Sequence, residues 1–277
     1  MSSVDPARLM RHTPTILLAI MLVVCALAPV LPFQDPLKMI PSQRFSDPTG
    51  MHWLGQDEYG RDIAARLVWA ARNSLGVAVS STLLATLVGT ILGVFAGFHQ
   101  GLTEAFTMRS IDVLICFPPL LLAMVAVTLY GPGPITLVPV LAIIFVPGFT
   151  RIAHASVMTV RSQDYVEAAR AMGASDGRVM FTTILPNIAG AVVVQFSVTV
   201  ASAIILESGL SFLGLGVMPP APSLGLMIGT GRATLDQQPM LLVWPCLALT
   251  MIILILNAFC NLMRDIFDPA SSSAGRF

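Results

Sequence analysis

Between Val113 and Thr150 the sequence carries no charged side chain, and between Ser74 and Phe98 it carries none either. Runs this long have one comfortable environment. A chain crossing hydrocarbon must satisfy every backbone N–H and C=O internally, and a helix of roughly 20 apolar residues does so. Composition agrees, with 55% hydrophobic and 11% charged residues, against about 25% charged in a soluble domain. So few polar groups cannot cover a water-facing surface. The expected fold class is an all-α membrane protein embedded in lipid.

Six spans are expected. Thr15–Phe33 is the first, entered at Pro14 and ended by Pro29 and Pro32. Proline fits a first helical turn and breaks a helix interior. Ser74–Phe98 is the second. Val113–Thr150 is too long for one crossing, and Gly131–Pro134 (GPGP) divides it into spans at about 111–130 and 135–150. Ile188–Leu206 and Leu241–Met263 complete the set, and the Gly- and Pro-rich segment 207–240 cannot form one regular helix. The basic n-region and apolar run at the N-terminus resemble a secretory signal. The run is long for that role, and APVLP lacks a clear small-x-small cleavage site. An uncleaved first span is the reading adopted.

An even number of spans puts both termini on one side. On the N-terminal side lie Arg8, Arg11, Arg109, Arg151, Arg161, Arg170, Arg178, Arg264 and Arg276. The other side carries Lys38, Arg44, Arg61, Arg66, Arg72 and Arg232. Basic residues favour the cytoplasmic face, so the bias is modestly N-in.

Several activities are excluded or unsupported. Lys38, in PLKMI, is the only lysine, so the chain has no Gly-Lys-Ser/Thr phosphate loop. Net charge is zero, which gives no footprint for a nucleic-acid partner. Cys25, Cys116, Cys246 and Cys260 sit in apolar stretches without metal-ligand spacing and are expected to be small buried hydrophobes. No Ser-His-Asp set, catalytic carboxylate pair or metal cluster is visible. The chain is expected to have no catalytic residues, metal ligands or cofactor of its own.

One polar island stands between the apolar regions, DYVEAARAMGASDGRVMFTTILPN at 164–187. Asp164 is a candidate N-cap, with Glu167 at the capping-box position. A short helix to Met172 is expected, ended by Gly173. Tyr165, Ala168 or Ala169, and Met172 fall on one face by helical spacing. Ser175 or Asp176 can cap a second helix through Val179–Leu185, ahead of Pro186. Read alone, the island is either a solvated loop or a docking element. Ile63, Leu67, Ala70 and Ala71 form an apolar stripe in 60–73, beside the candidate interface anchor Trp69. That stripe fits an amphipathic outer-face helix or a plain lead-in to the second span.

Glu167-Ala168-Ala169-x-x-x-Gly173, followed by Leu185-Pro186, resembles the EAA loop of binding-protein-dependent ABC importer permeases. Thr183 stands where the pattern usually has Ile. Further segments resemble the C-type permease subunit of the dipeptide/oligopeptide/nickel branch. They are His52–Asp62 with Arg72–Leu75, Met108-Arg109 with Asp112 and Phe117-Pro118, Glu207–Gly216, and Arg264-Asp265 with Asp268-Pro269. Gln56 and Ala65 replace the common Thr and Ser.

The resemblance implies a type I ABC importer transmembrane domain in the bacterial cytoplasmic (inner) membrane, multi-pass, with both termini cytoplasmic. It implies a homologous B-type permease partner, two ATPase subunits that bind ATP and Mg, and an extracytoplasmic solute-binding protein. It casts Asp164, Tyr165, Glu167, Ala168, Ala169, Met172 and Gly173 as the ATPase-coupling element. Asp112 and Glu207 are carboxylates at span ends. They either line the path or are structural, Asp112 pairing with Arg109 and Glu207 holding the 207–217 turn. The expected organisation is a first span with an extracytoplasmic segment at 1–73, a permease core with its EAA loop at 74–269, and a polar tail at 270–277. The implied cargo is short peptides, with chelated nickel as the alternative.

Overall fold

The computed structural model describes residues 6–31 and 34–267. The expected tail at 270–277, Asp268-Pro269, and Pro32 and Phe33 lie outside the described residues. Among the described residues the chain is helical, and one isolated antiparallel bridge joins Gln56 and Asp62.

Helix α1 spans Pro6–Leu27 and α2 spans Ile63–His99. The expected lead-in and the second span are therefore one helix, capped at its start by Asp62, whose side chain accepts from the Ala65 N–H. Helix α3 (Gly101–Cys116) is followed by α4 (Pro119–Tyr130), and the two are bent by 85°. The sequence reading drew a third span straight through this point. The break follows from Phe117-Pro118-Pro119. A residue before proline is pushed towards extended backbone, and Phe117 (φ −83, ψ 128) and Pro118 (φ −57, ψ 126) both adopt it.

Gly133 then starts α5 (Pro134–Arg161), which continues well past the expected end at 150. Helix α6 is Asp164–Ala171 and α7 is Asp176–Arg178. A π-helical stretch, Val179–Ile184, leads into α8 (Leu185–Phe212). Pro186 thus does not separate a loop helix from the fifth span. The wider π turn lets Leu185 donate back to Met180 and carries the helix past the proline. Helices α9 (Leu224–Ala233) and α10 (Met240–Phe267) complete the fold.

By length and composition, four helical rods among the described residues can cross a membrane: α2, α5, the continuous Asp176–Phe212 and α10. The bent α3–α4 pair makes a fifth if counted as one span, and Thr13–Leu27 is a shorter apolar helix. The expected count of six is therefore not reached on length and apolarity alone.

The most extensive helix pairing is α2 against α5. Gly89, Gly93 and Gly97 form a stripe at four-residue spacing along α2. A methyl group at Gly93 would lie 2.5 Å from the Thr150 carbonyl oxygen and 2.7 Å from Ala153 Cβ. Only bare backbone permits this approach. In lipid, where apolar burial gives little net drive, such close contact supplies the helix association.

The cysteine expectation holds for two of four. Cys25 and Cys260 are buried, but Cys116 is exposed and Cys246 partly so. A lipid-facing surface is as apolar as the core, so hydropathy alone cannot separate the two.

Candidate functional site

Helix α6 packs by the ends of α2 and α5, anchored chiefly through Val166. Val166 is fully buried, in a cluster with Val94, Phe98, Val157, Val179 and Ile184. Tyr165, Glu167, Ala168 and Met172 are exposed, Met172 at 83%. Ala169 is half-buried and packs on the same cluster as Val166. The outward face is therefore Tyr165, Ala168 and Met172, with Ala169 turned inward.

The start of α6 differs from the expected cap. Gln163 is the N-cap residue and makes no side-chain capping bond, while Asp164 is the first helical residue. Asp164 and Glu167 thus lie in the first turn, where the helix dipole favours negative charge. The end of α6 is tightly specified. Gly173 has φ +83, its N–H donates to Arg170 O, and the Ala174 N–H donates to Ala169 O. This pair of bonds is a Schellman motif, which requires the left-handed residue that glycine adopts without a Cβ penalty. Ser175 caps α7, accepting from the Arg178 N–H at 3.4 Å.

Asp112 does not pair with Arg109. Its Oδ1 accepts from Arg151 Nη2 at 2.7 Å, with both side chains about half exposed. A second bond joins the same two helices, His154 Nε2 donating to Glu104 Oε1 at 2.9 Å. Arg151 also lines a cleft of about 320 Å³ in the α3–α4 bend, with Phe117, Phe145, Pro147 and Gln195. The partner residue is 39 positions away in sequence, beyond the reach of helical spacing.

Glu207 is fully buried in α8. Its carboxylate accepts from Ser211 Oγ at 2.7 Å and from Ser208 Oγ at 3.3 Å, and the Ser74 hydroxyl reaches it from α2. Ser211 Oγ accepts in turn from the Val217 N–H, and Ser74 Oγ from the Leu224 N–H. Asn73 Nδ2 donates to Pro222 O at 2.7 Å. The Arg72–Leu75 and Glu207–Gly216 segments, remote in sequence, therefore meet around one carboxylate. A buried carboxylate in a spanning helix needs such donors, because lipid offers none.

Two features escaped the sequence reading. One is the glycine stripe on α2, whose GxxxGxxxG spacing was its signal. The other is the polar knot at 34–62. There Asp57 Oδ1 accepts from the backbone N–H of Tyr59 and of Arg61, each at 2.9 Å. Asp57 Oδ2 accepts from Arg61 Nε at 2.7 Å and lies 3.4 Å from Arg66 Nε. Gln56, Asp57, Arg61, Asp62 and Arg66 are all buried. Charged residues in a short segment normally read as solvated; nothing local announces that this carboxylate folds the loop around itself.

Comparison with known proteins agrees with this architecture. Residues 89–273 match the family described as "Binding-protein-dependent transport system inner membrane component". The chain is 37% identical over 226 residues to the glutathione transport system permease protein GsiD of Pectobacterium atrosepticum, covering 82% of this chain and 75% of that one. It is 39% identical over 226 residues to a putative peptide permease protein of Brucella ovis, covering 81% and 75%. In structure it is similar to a chain of the inward-facing MetNI methionine ABC transporter, with a TM-score of 0.61 at 14% identity, covering 73% of this chain and 96% of that one. A second crystal form of that transporter gives a TM-score of 0.56 at 16% identity, covering 77% and 98%. The membrane helices, the family match and these relatives agree, and the chain belongs to the binding-protein-dependent transport system inner membrane components, as the permease subunit of an ABC importer whose ATPase is a separate subunit.

Proposed function

We propose that this subunit forms half of a translocation path for short peptides and couples ATP hydrolysis by its partners to alternating access. The observation that carries the coupling reading is the form of α6. It is a helix closed off by Gly173, anchored through Val166 with Ala169 packed beside it, and with Tyr165, Ala168 and Met172 presented outward. Small Ala168 between two larger side chains lets a grooved surface close around the helix.

In this reading α6 faces the cytoplasm and seats in an ATPase subunit, and both termini lie on that side. The partners are a homologous B-type permease, two ATPase subunits holding ATP and Mg, and an extracytoplasmic solute-binding protein. ATP binding draws the ATPase pair together and each carries its docked helix inward. The motion enters α8 through the π-helical stretch, because Asp176–Phe212 is one continuous helix. The spans rock and the path opens outward, then hydrolysis resets it. Arg151 lines the cleft at the α3–α4 bend and contributes polar lining to the path, and Asp112 holds it there through their ion pair. Glu207 acts as a structural clasp.

The peptide assignment is supported by the named relatives, a glutathione permease and a putative peptide permease. Neither of those two names nickel, and the nickel alternative rests on shared sequence segments alone. The experiment for coupling is Met172→Glu with Ala168→Leu, followed by co-purification of the ATPase and peptide uptake. Both are expected to fall together, and unchanged assembly and uptake would sink the reading. For cargo, uptake of labelled dipeptide, glutathione and chelated nickel is compared in cells with and without this chain. Loss of nickel uptake alone would overturn the peptide assignment.

A further inference from the structure

Beneath α6, between the ends of α2 and α5, lies a cavity of about 300 Å³. Arg161, Glu167 and Arg170 line it, together with Gln100 and Ser162. Three charged groups share this space, yet among the described residues none of them forms an ion pair. Nη1 of Arg161 is buried and has no hydrogen-bond partner. Arg170 stacks its guanidinium 4.8 Å over the Phe98 ring. Stacking holds the plane of a guanidinium while leaving its N–H edge available.

A buried charged donor without an acceptor is costly. Two guanidinium groups against one carboxylate leave the cavity with a net positive charge. Forked N–H donors match the oxygens of a phosphoryl group better than a single water does. Further along α2, towards the middle of the bundle, the surface turns fully apolar, in a groove between Ile91, Phe95, Phe181 and Leu185. Basic pockets between spanning helices at the cytoplasmic face are where anionic headgroups bind.

We propose that the cavity under α6 binds a phosphoryl anion through Arg161 and Arg170, supplied by a phospholipid headgroup or by free phosphate. Glu167 opposes the anion, so the site also senses where that carboxylate points. The proposal rests on the coupling reading only for the side of the membrane the cavity faces. Binding is measured without reference to ATPase coupling, so its failure leaves that reading standing.

The complete transporter, purified through this chain, is placed in nanodiscs. In one arm the discs contain phosphatidylcholine with a minority of phosphatidylglycerol, and native mass spectrometry counts retained phosphatidylglycerol. In the other the discs are phosphatidylcholine alone, and binding of radiolabelled inorganic phosphate is measured. Saturable binding is expected in one arm, which identifies the source. Arg161→Gln and Arg170→Gln are each expected to weaken it about tenfold, the scale of one charge-assisted hydrogen bond, and Glu167→Gln to strengthen it. If Arg161→Gln fails to fold, Arg170→Gln on the exposed helix carries the test. No saturable binding in either arm, or equal binding by the wild type and the folded Arg variants, overturns the proposal.

Discussion

The two ends of α2 handle polar residues in opposite ways. At its start, Gln56, Asp57, Arg61, Asp62 and Arg66 turn inward, and the Asp57 carboxylate holds Arg61 and Arg66 together. At its far end, in 164–178, nearly every polar residue turns outward and Val166 alone is fully buried. The first arrangement spends its charges on holding one shape. The second leaves them unspent, as a surface meant for another molecule does. A segment's polarity therefore says little about its role until its direction is known.

That contrast predicts that stability and transport separate by region. Asp57→Ala removes the carboxylate that Arg61 and Arg66 share, leaving them only Glu58 and the Pro36 carbonyl, and breaking a buried charge cluster this way costs about 3–5 kcal/mol. Denaturation of the transporter in nanodiscs is expected to show the loss, and a shift under 1 kcal/mol would mean the knot is solvated. Gly93→Ala forces a methyl group into the Thr150 backbone, with an overpacking cost of about 1–3 kcal/mol. The same denaturation reads it, and the parallel Gly76→Ala, where a Cβ meets nothing within 4 Å, is expected to be neutral.

Gly173→Ala places a Cβ in the left-handed region for about 1 kcal/mol, yet uptake is expected to fall far more than stability does. Equal loss of both would erase the distinction between the two ends. Asp112→Ala removes an ion pair that is about half exposed, worth under about 1 kcal/mol. Any larger change in uptake than in melting would sharpen its assignment to the path. Asp164→Ala is the smallest, about 0.3–1 kcal/mol from the helix dipole alone. A full capping loss there would show that Asp164, not Gln163, closes the helix in the assembled transporter.

Much of the fold was legible because lipid imposes simple demands. The uncharged stretches mark α2, α5, α8 and α10, and Gly131–Pro134 marks the break before α5. The 85° bend was written in Phe117-Pro118-Pro119 but was overridden by the attraction of a long apolar run. Helix ends were less legible: α5 and α8 extend past the apolar residues into polar sequence, where helicity depends on neighbours. In the candidate site, Gly173 was readable because its backbone conformation is local. The partners of Asp112 and Glu207 were not, since Arg151 and Ser74 arrive from other helices. Ala168 and Ala169 were indistinguishable by spacing, and only the packing on Val166 decides which of them faces out.

The unbroken helix from Asp176 to Phe212 has 37 residues, about 55 Å of rod at 1.5 Å per residue. It starts just after α6 and passes Glu207 near its other end. A rod of that length turns rotation into travel: one degree of tilt about its middle moves each end by roughly half an ångström. The Ser211 bond to Glu207 is 2.7 Å, and such O–H···O bonds tolerate only about half an ångström of stretch. A tilt of only a few degrees is therefore enough to strain the clasp at the opposite end of the helix. If α6 is driven as proposed, the clasp acts as a mechanical fuse at the far end of the lever, and its slack sets how far the near end can be pushed before the 207–217 turn must let go.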